Sequence, residues 1–125
     1  MINCAANREF GDSVQTCRCD FDSHDKQKCE TGGNRGLVDV PYRCFLPKGL
    51  EGVLVVGRTA SFGHLTNSAF RRMENAFQSG EVRGTAAGMA AAAGTTPRRL
   101  AVTELQAEVH RNGFRTSQAR IRQAG

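Results

Sequence analysis

Two glycine-containing segments carry the residue types best suited to holding a phosphorylated cofactor. The first is the apolar run 52–57, GVLVVG, which Arg58 follows directly. The second is 84–88, GTAAG, a stretch almost without side-chain bulk. Strand ends and bare helix N-termini are where α/β proteins bind such cofactors, because free backbone N–H groups and the helix dipole favour negative charge there. The two segments therefore predict a cofactor site built from a strand end and a helix start.

Arg58 would supply positive charge at this site, where a guanidinium could neutralise a cofactor phosphate. The alternative is a strand-end arginine in a surface ion pair without function. The glycines also have an alternative interpretation. Gly80, Gly84 and Gly88 recur every four residues, and such a row also suits the packing of a helix against a sheet without any ligand. Both alternatives remain open at the level of sequence.

His64 lies shortly after the predicted strand end and is the candidate for proton transfer to or from a substrate. A histidine in a loop can equally be an exposed or hydrogen-bonding residue. Catalytic residues beyond this candidate do not follow from the order of residues alone.

Three cysteines and a histidine form a second group with chemical potential. Cys17, Cys19, His24 and Cys29 read C-x-C-x4-H-x4-C, and three thiolates with one imidazole make a sound tetrahedral set for zinc. A chain with a net charge of +5 and such a site could be a small module that binds single-stranded nucleic acid. However, the first pair is one residue shorter than in a zinc knuckle, and unligated thiols are the competing interpretation.

The elements that would position these residues can be read from hydrophobic periodicity. The continuous valine-rich run 53–57 is typical of a strand covered on both faces. Apolar residues at spacings of three and four predict an amphipathic helix over 66–79, with its cap within 66–68. Its apolar face consists of Ala69, Phe70, Met73, Ala76 and Phe77. A last helix is predicted over 103–112, with an apolar stripe at Leu105 and Val109. Thr103 and Gln106 are in capping-box spacing, and Gly113 is at the C′ position.

Composition limits both the core and the partners. Hydrophobic residues make up 39% of the chain and aromatic residues 6%, with no Trp, so the core is lean and should depend on additional structure for completion. The charge is basic, but no block of five like charges occurs and aromatic residues are not interleaved with basic ones, which argues against nucleic acid. No signal peptide or apolar run of about 20 residues is visible. Five cysteines without a disulfide framework indicate reduced thiols and a cytoplasmic protein.

Three regions follow from these patterns. Residues 1–39 are rich in turn-forming residues, with room for one or two short strands. Residues 40–113 hold the predicted strand, the helices and the site. Residues 114–125 have little apolar content and form a basic tail that should fray.

Several segments in order resemble the C-terminal part of an FAD-dependent oxidoreductase family, which reads loosely IPYR-L-PK, NLLVAGR, a histidine, S-I-R-V-M and G-AAG-AAA. The matching pieces are 40–43, 46–48, 53–58, His64, 70–73 and 84–88, with weaker matches at 11–14 and 21–24. A more distant likeness is to the heterodisulfide reductases. Each piece alone is weak, whereas the same order across most of the chain is specific.

The resemblance implies a fold, a cofactor and partners. The fold class is α/β, a C-terminal fragment of a Rossmann-like FAD-binding domain with short strands, two to three helices and a long N-terminal loop region. The implied cofactor is FAD, and the implied cofactor-binding residues are Gly57, Arg58, Arg71, Gly84, Thr85, Ala86, Ala87 and Gly88. No G-x-G-x-x-G occurs in the chain, so the half that cradles the ADP pyrophosphate in such enzymes is expected as a partner, alongside a small-molecule substrate. The isolated chain should then lack activity.

One departure from the family pattern affects the site. The distance from Met73 to Gly84 exceeds the family's spacing by about one helical turn. This extra turn either leaves the phasing of the helix unchanged or shifts the glycine segment away from the cofactor.

Overall fold

The computed structural model describes residues 9–19 and 36–117. These residues form two strands, β1 (Ser13–Cys19) and β2 (Gly36–Pro41), and three helices, α1 (His64–Phe70), α2 (Met73–Ala92) and α3 (Val102–Arg111). Three short 3-10 turns connect them, at Tyr42–Phe45, Gly57–Thr59 and Pro97–Arg99. The predicted α/β class is confirmed.

The two strands pair antiparallel, with Thr16 opposite Asp39 and an irregularity between Ser13 and Gln15. Val14 and Val40 are fully buried, because the sheet packs against the helices. The segment after α3 also lies along β1. The backbone N–H of Thr16 donates to the carbonyl of Arg115 over 3.2 Å. Arg115 and Thr116, at the start of the predicted tail 114–125, therefore have hydrogen-bonding partners on β1, and residues 118–125 lie outside the described residues.

The core lies between β1, the long helix α2 and α3. Its aromatic part is a group of three rings, in which the centroids of Phe62 and Phe70 are 4.4 Å apart and those of Phe45 and Phe62 are 5.9 Å apart. Leu105 and Val109 on α3 are buried, which confirms the apolar stripe predicted for that helix.

The sequence predicted the C-terminal end of α3 correctly and its N-terminal cap wrongly. Gly113 adopts a φ of +86° directly after the helix, as a C′ glycine does. The predicted capping box is wrong, because the residue before the helix is Ala101, without a side-chain cap. The Gln106 amide instead donates to the carbonyls of Gly11 and Ser13, at 2.9 and 2.8 Å. It thus attaches α3 to the start of β1.

The predicted strand over 53–57 is not a strand in the structure. The segment is extended, but within the described part of the chain its one backbone bond to another segment runs from the N–H of Val55 to the carbonyl of Phe45, at 2.9 Å. Val53 and Val56 are 46% and 51% exposed. A strand needs a neighbour to pair with, and no other strand of the described ranges lies beside this segment.

The predicted single helix over 66–79 is two helices. Arg72 has an extended backbone (φ −67°, ψ 146°) and separates α1 from α2. This break leaves Phe70 in the aromatic core while Met73 and Phe77, expected on the same buried face, are 75% and 77% exposed. Gly84, predicted to start a helix, lies in the middle of α2 instead.

None of the helices in the described part of the chain is both long enough and apolar enough to cross a membrane.

Candidate functional site

The predicted Gly57–Arg58 element is a tight turn that rests on α2. Gly57 has a φ of +61°, a left-handed conformation that glycine adopts without a steric penalty. Its N–H donates to Ser79 Oγ over 3.2 Å, and the hydroxyl of Thr59 donates to the carbonyl of Val56 over 2.9 Å. The first bond holds the turn against α2 and the second closes the turn on itself. Arg58 is exposed beside it.

From residue 80 onward, one face of α2 has almost no side chains. We call Gly80, Gly84, Ala87 and Gly88 the glycine face, because their spacing places them on one side of the helix and all are exposed. A Cβ atom added to any of the three glycines would meet nothing within 4 Å. Packing within the described residues therefore does not require glycine at these positions.

The other two residues predicted from 84–88 lie off this face. Ala86 is fully buried and belongs to the core. The hydroxyl of Thr85 donates to the carbonyl of Glu81 over 3.0 Å, within the same helix. Ala86 therefore supports the helix from behind, and Thr85 flanks the exposed face.

The free N-terminus predicted at Gly84 is at Met73. Free N–H groups belong to the first turn of a helix, so those of α2 lie at 73–75, and Gly84 has its N–H inside the helical hydrogen-bond ladder. Glu74 in this first turn pairs with Arg72, the residue before the helix, at 3.1 Å. Arg71 lies at the junction of α1 and α2 and is exposed. The positive end of α2 is thus adjacent to Arg71.

His64, the candidate for proton transfer, is the first residue of α1. This short helix contacts the Gly57–Thr59 turn. The chain therefore places His64 and Arg58 on neighbouring elements.

The loop before the extended segment 53–56 is attached to the turn after α2. The Arg98 guanidinium donates to the carboxylate of Glu51 over 2.9 Å and to the carbonyl of Leu50 over 3.2 Å. Thr96 donates its hydroxyl to the same carboxylate over 3.1 Å. These bonds fix the start of the extended segment 53–56 against the turn after α2.

Arg83 is a buried charge behind the glycine face that sequence reasoning missed. It is 2% exposed, its guanidinium carbon is 3.1 Å from the centroid of the Phe45 ring, and its Nη1 donates to the Ser79 carbonyl. Its Nε and Nη2 groups have no acceptor among the residues described. Burial lowers the pKa of the guanidinium to about 9, and the nearby thiols of Cys17 and Cys44 and the Tyr42 phenol oppose that shift.

The sequence gives only an indirect indication that Arg83 is buried. Val82, Ala86 and Ala90 are buried at helical spacing, and Arg83 is adjacent to this stripe. Arginine is almost never fully buried unless it is paired. The residue type by itself therefore predicts an exposed side chain.

The predicted zinc ligands are described only in part. Cys17 is a buried thiol on β1, 2% exposed, and the Gln15 amide donates to its sulfur over 3.4 Å. Cys19 ends β1. His24 and Cys29 lie outside the described residues, within which no group of three potential metal ligands occurs. The zinc hypothesis thus stays untested.

The chain matches a known protein family. A family model described as FAD dependent oxidoreductase matches residues 2–109, most of the chain. No curated protein and no solved structure matches significantly. The two strands and three helices are consistent with a fragment of a Rossmann-like FAD-binding domain.

Proposed function

Because the chain belongs to the FAD dependent oxidoreductase family, with FAD as the cofactor, we propose that it is the C-terminal portion of the flavin-binding domain. The glycine face of α2 would then lie against the cofactor, together with Gly57 and Arg58. The observation that carries this proposal is the exposed glycine face. Each of its three glycines is exposed and has open space where a side chain would be.

Glycine inside a helix needs a reason. Each one costs about 1 kcal/mol relative to alanine, and Gly80, Gly84 and Gly88 all lie within α2. None of them has a positive φ, so backbone conformation does not demand them. Neither does packing among the described residues. Close approach by a group outside the described residues explains the three glycines of the glycine face, and a flat cofactor ring fits such a bare surface.

Charge near the turn and at the start of α2 supports the same assignment. Arg58 and Arg71 are both exposed, and the N-terminus of α2 carries about half a positive charge. In the proposed complex these groups neutralise the cofactor phosphates or the anion of the reduced flavin. Glu74, which pairs with Arg72, keeps part of this charge compensated.

FAD, when bound, supplies the redox chemistry of the family. The residues of this chain bind and orient it, and His64 remains the candidate for holding a proton near the substrate. The extended segment 53–56, with two half-exposed valines, offers an edge to a further strand from the G-x-G-x-x-G half of the domain. We therefore propose that the isolated chain is inactive and that a small-molecule substrate binds only to the assembled domain.

The test is the variant Gly84→Leu, whose stability is measured in the isolated chain and whose FAD content is measured in the assembled enzyme. In the isolated chain the variant should raise the free energy of unfolding by up to about 1 kcal/mol, because leucine is a better helix former than glycine and nothing lies in its way. In the flavoenzyme assembled from this chain and the G-x-G-x-x-G half, FAD content should fall sharply, because the side chain occupies the space of the cofactor.

The matched control is Ala107→Leu, which adds a similar side chain at an exposed position of α3 and should leave FAD content unchanged. Full FAD absorbance in the Gly84→Leu enzyme would overturn the assignment of the glycine face.

A further inference from the structure

A second potential binding site lies on the flank of α2, beside the glycine face. It is an open cavity of about 650 Å³ between α2, β1 and the segment that follows α3. Its volume falls within the range of small-molecule sites. The side chains that decide its chemistry come from α2 and the segment after α3: Phe77, Gln78, Glu81, Phe114 and Arg115.

Two aromatic residues supply the apolar part of the cavity. Phe77 is 77% exposed, which is costly for a large apolar side chain in water. Phe114 is partly buried and packs against the hydrophobic core. One ring is thus supported from behind and the other is free to cover a ligand. An apolar group bound between them would remove exposed apolar surface from water.

Two opposite charges supply the polar part. Glu81 and Arg115 both line the cavity, yet neither forms an ion pair with any residue in the described ranges. Glu74, the other carboxylate there, already pairs with Arg72 at 3.1 Å. Among the described residues, the cavity therefore presents one carboxylate and one guanidinium without an ion-pair partner, with the Gln78 amide as a neighbour.

The segment that carries Arg115 is held in place by its backbone. Its carbonyl accepts the N–H of Thr16 at 3.2 Å and the Gln78 amide at 3.4 Å. The hydroxyl of Ser13 donates to the next carbonyl, that of Thr116, over 2.6 Å. The guanidinium is thus attached to an anchored backbone, which lowers the entropic cost of binding.

We propose that this cavity binds a zwitterionic amino acid with an apolar side chain. The carboxylate of the ligand would pair with the Arg115 guanidinium, a favourable and geometrically specific interaction. Its ammonium group would pair with the Glu81 carboxylate, and its side chain would lie between Phe77 and Phe114. A ligand with only one of the two charges would leave the other protein charge unpaired and would bind less well.

The experiment compares three matched ligands on the full chain without flavin, by isothermal titration calorimetry. L-phenylalanine carries both charges, phenethylamine lacks the carboxylate, and 3-phenylpropionate lacks the ammonium group. The expected result is that L-phenylalanine binds at least tenfold more tightly than either of the others. Equal affinities, or no binding of L-phenylalanine, would overturn the proposal.

Two charge-neutralising variants then assign the contacts. Glu81→Gln should reduce the affinity for L-phenylalanine about tenfold and leave that for 3-phenylpropionate unchanged. Arg115→Gln should do the same with phenethylamine as the unchanged ligand. Both residues are exposed, so folding should be retained, as thermal unfolding would check. Glu104→Gln and Arg111→Gln, at exposed positions on α3, are the controls and should leave the affinities of all three ligands unchanged.

If either cavity variant binds all three ligands as the wild type does, the charge assignment is wrong. Because no flavin takes part, failure here leaves the proposed function intact, and full FAD absorbance in the Gly84→Leu enzyme would leave this site intact.

Discussion

The backbone N–H of Gly57 lies 3.2 Å from Ser79 Oγ, and this bond joins the turn that carries Arg58 to α2. The same hydroxyl donates to the Ala76 carbonyl over 2.7 Å, so it is oriented to accept from Gly57. Ser79 is fully buried and directly precedes Gly80, the first residue of the glycine face. The position of Arg58 relative to that face is therefore set by one serine and by the left-handed conformation of one glycine.

Gly57→Ala should lower the free energy of unfolding by about 1–2 kcal/mol, the cost of a left-handed conformation for a residue with a Cβ. Open space surrounds the position of that Cβ, so the entire effect comes from the backbone. Urea denaturation of the chain measures it. Gly80→Ala is the matched control. Its backbone is helical, so stability should rise by up to about 1 kcal/mol. Equal effects of the two substitutions would contradict the conformation assigned to Gly57.

Arg83→Met should stabilise the chain. The wild-type guanidinium is 2% exposed and has two groups, Nε and Nη2, without an acceptor among the described residues. Methionine is apolar and flexible enough to fill the space. Replacement of buried charged groups by apolar residues of similar volume often stabilises proteins by about 1–4 kcal/mol, and the lost contact with Phe45 offsets part of that gain. We expect a net increase of about 1 kcal/mol in urea denaturation.

Arg83→Gln is the comparison for this experiment, because it removes the charge but keeps a buried polar group, and it should gain less than Arg83→Met. A clear loss of stability in Arg83→Met would show that the contact of the guanidinium with Phe45 outweighs its burial.

Tyr42 should make stability fall at high pH. Burial raises the pKa of its phenol from 10.0 to about 12, with nearby Arg83 opposing the shift. The unfolded chain therefore loses this proton near pH 10, while the folded chain keeps it until about pH 12. Between these values unfolding releases the phenol proton, so the contribution of Tyr42 to the free energy of unfolding declines by up to about 1.4 kcal/mol per pH unit. The lowered pKa of Arg83 has the opposite effect over this range, and the comparison of the wild type with Tyr42→Phe separates the two. Below pH 10 the phenol makes no contribution to the slope.

The measurement is urea denaturation of the wild type and Tyr42→Phe between pH 8 and 12. The variant should lose about 1 kcal/mol at pH 8, because the phenol donates to the Pro97 carbonyl over 2.9 Å, and the difference should disappear or reverse as the pH rises. Tyr42 is the sole tyrosine of the chain and no tryptophan is present, so tyrosinate absorbance follows the same titration directly. A phenol that titrates near pH 10 in the folded chain would refute the prediction.

The order of the motifs and the local periodicity were enough to indicate the family, the cofactor and the α/β class. They also predicted the features of α3 that depend on neighbours in sequence. Leu105 and Val109 are buried because they share one side of a helix, and Gly113 ends it because glycine tolerates a positive φ. Both effects act over a few residues, so a sequence pattern contains them.

The tertiary structure alone decided the elements that depend on distant partners. Residues 53–56 have the composition of a buried strand, yet an extended segment becomes a strand only beside another. The start of α2 at Met73 rather than Gly84 depends on the break at Arg72, which leaves Phe70 packed against Phe62. Arg83 is buried because the side of α2 that carries it packs against β1 and α3. Local sequence does not specify these long-range contacts, and they determine which face of α2 remains bare.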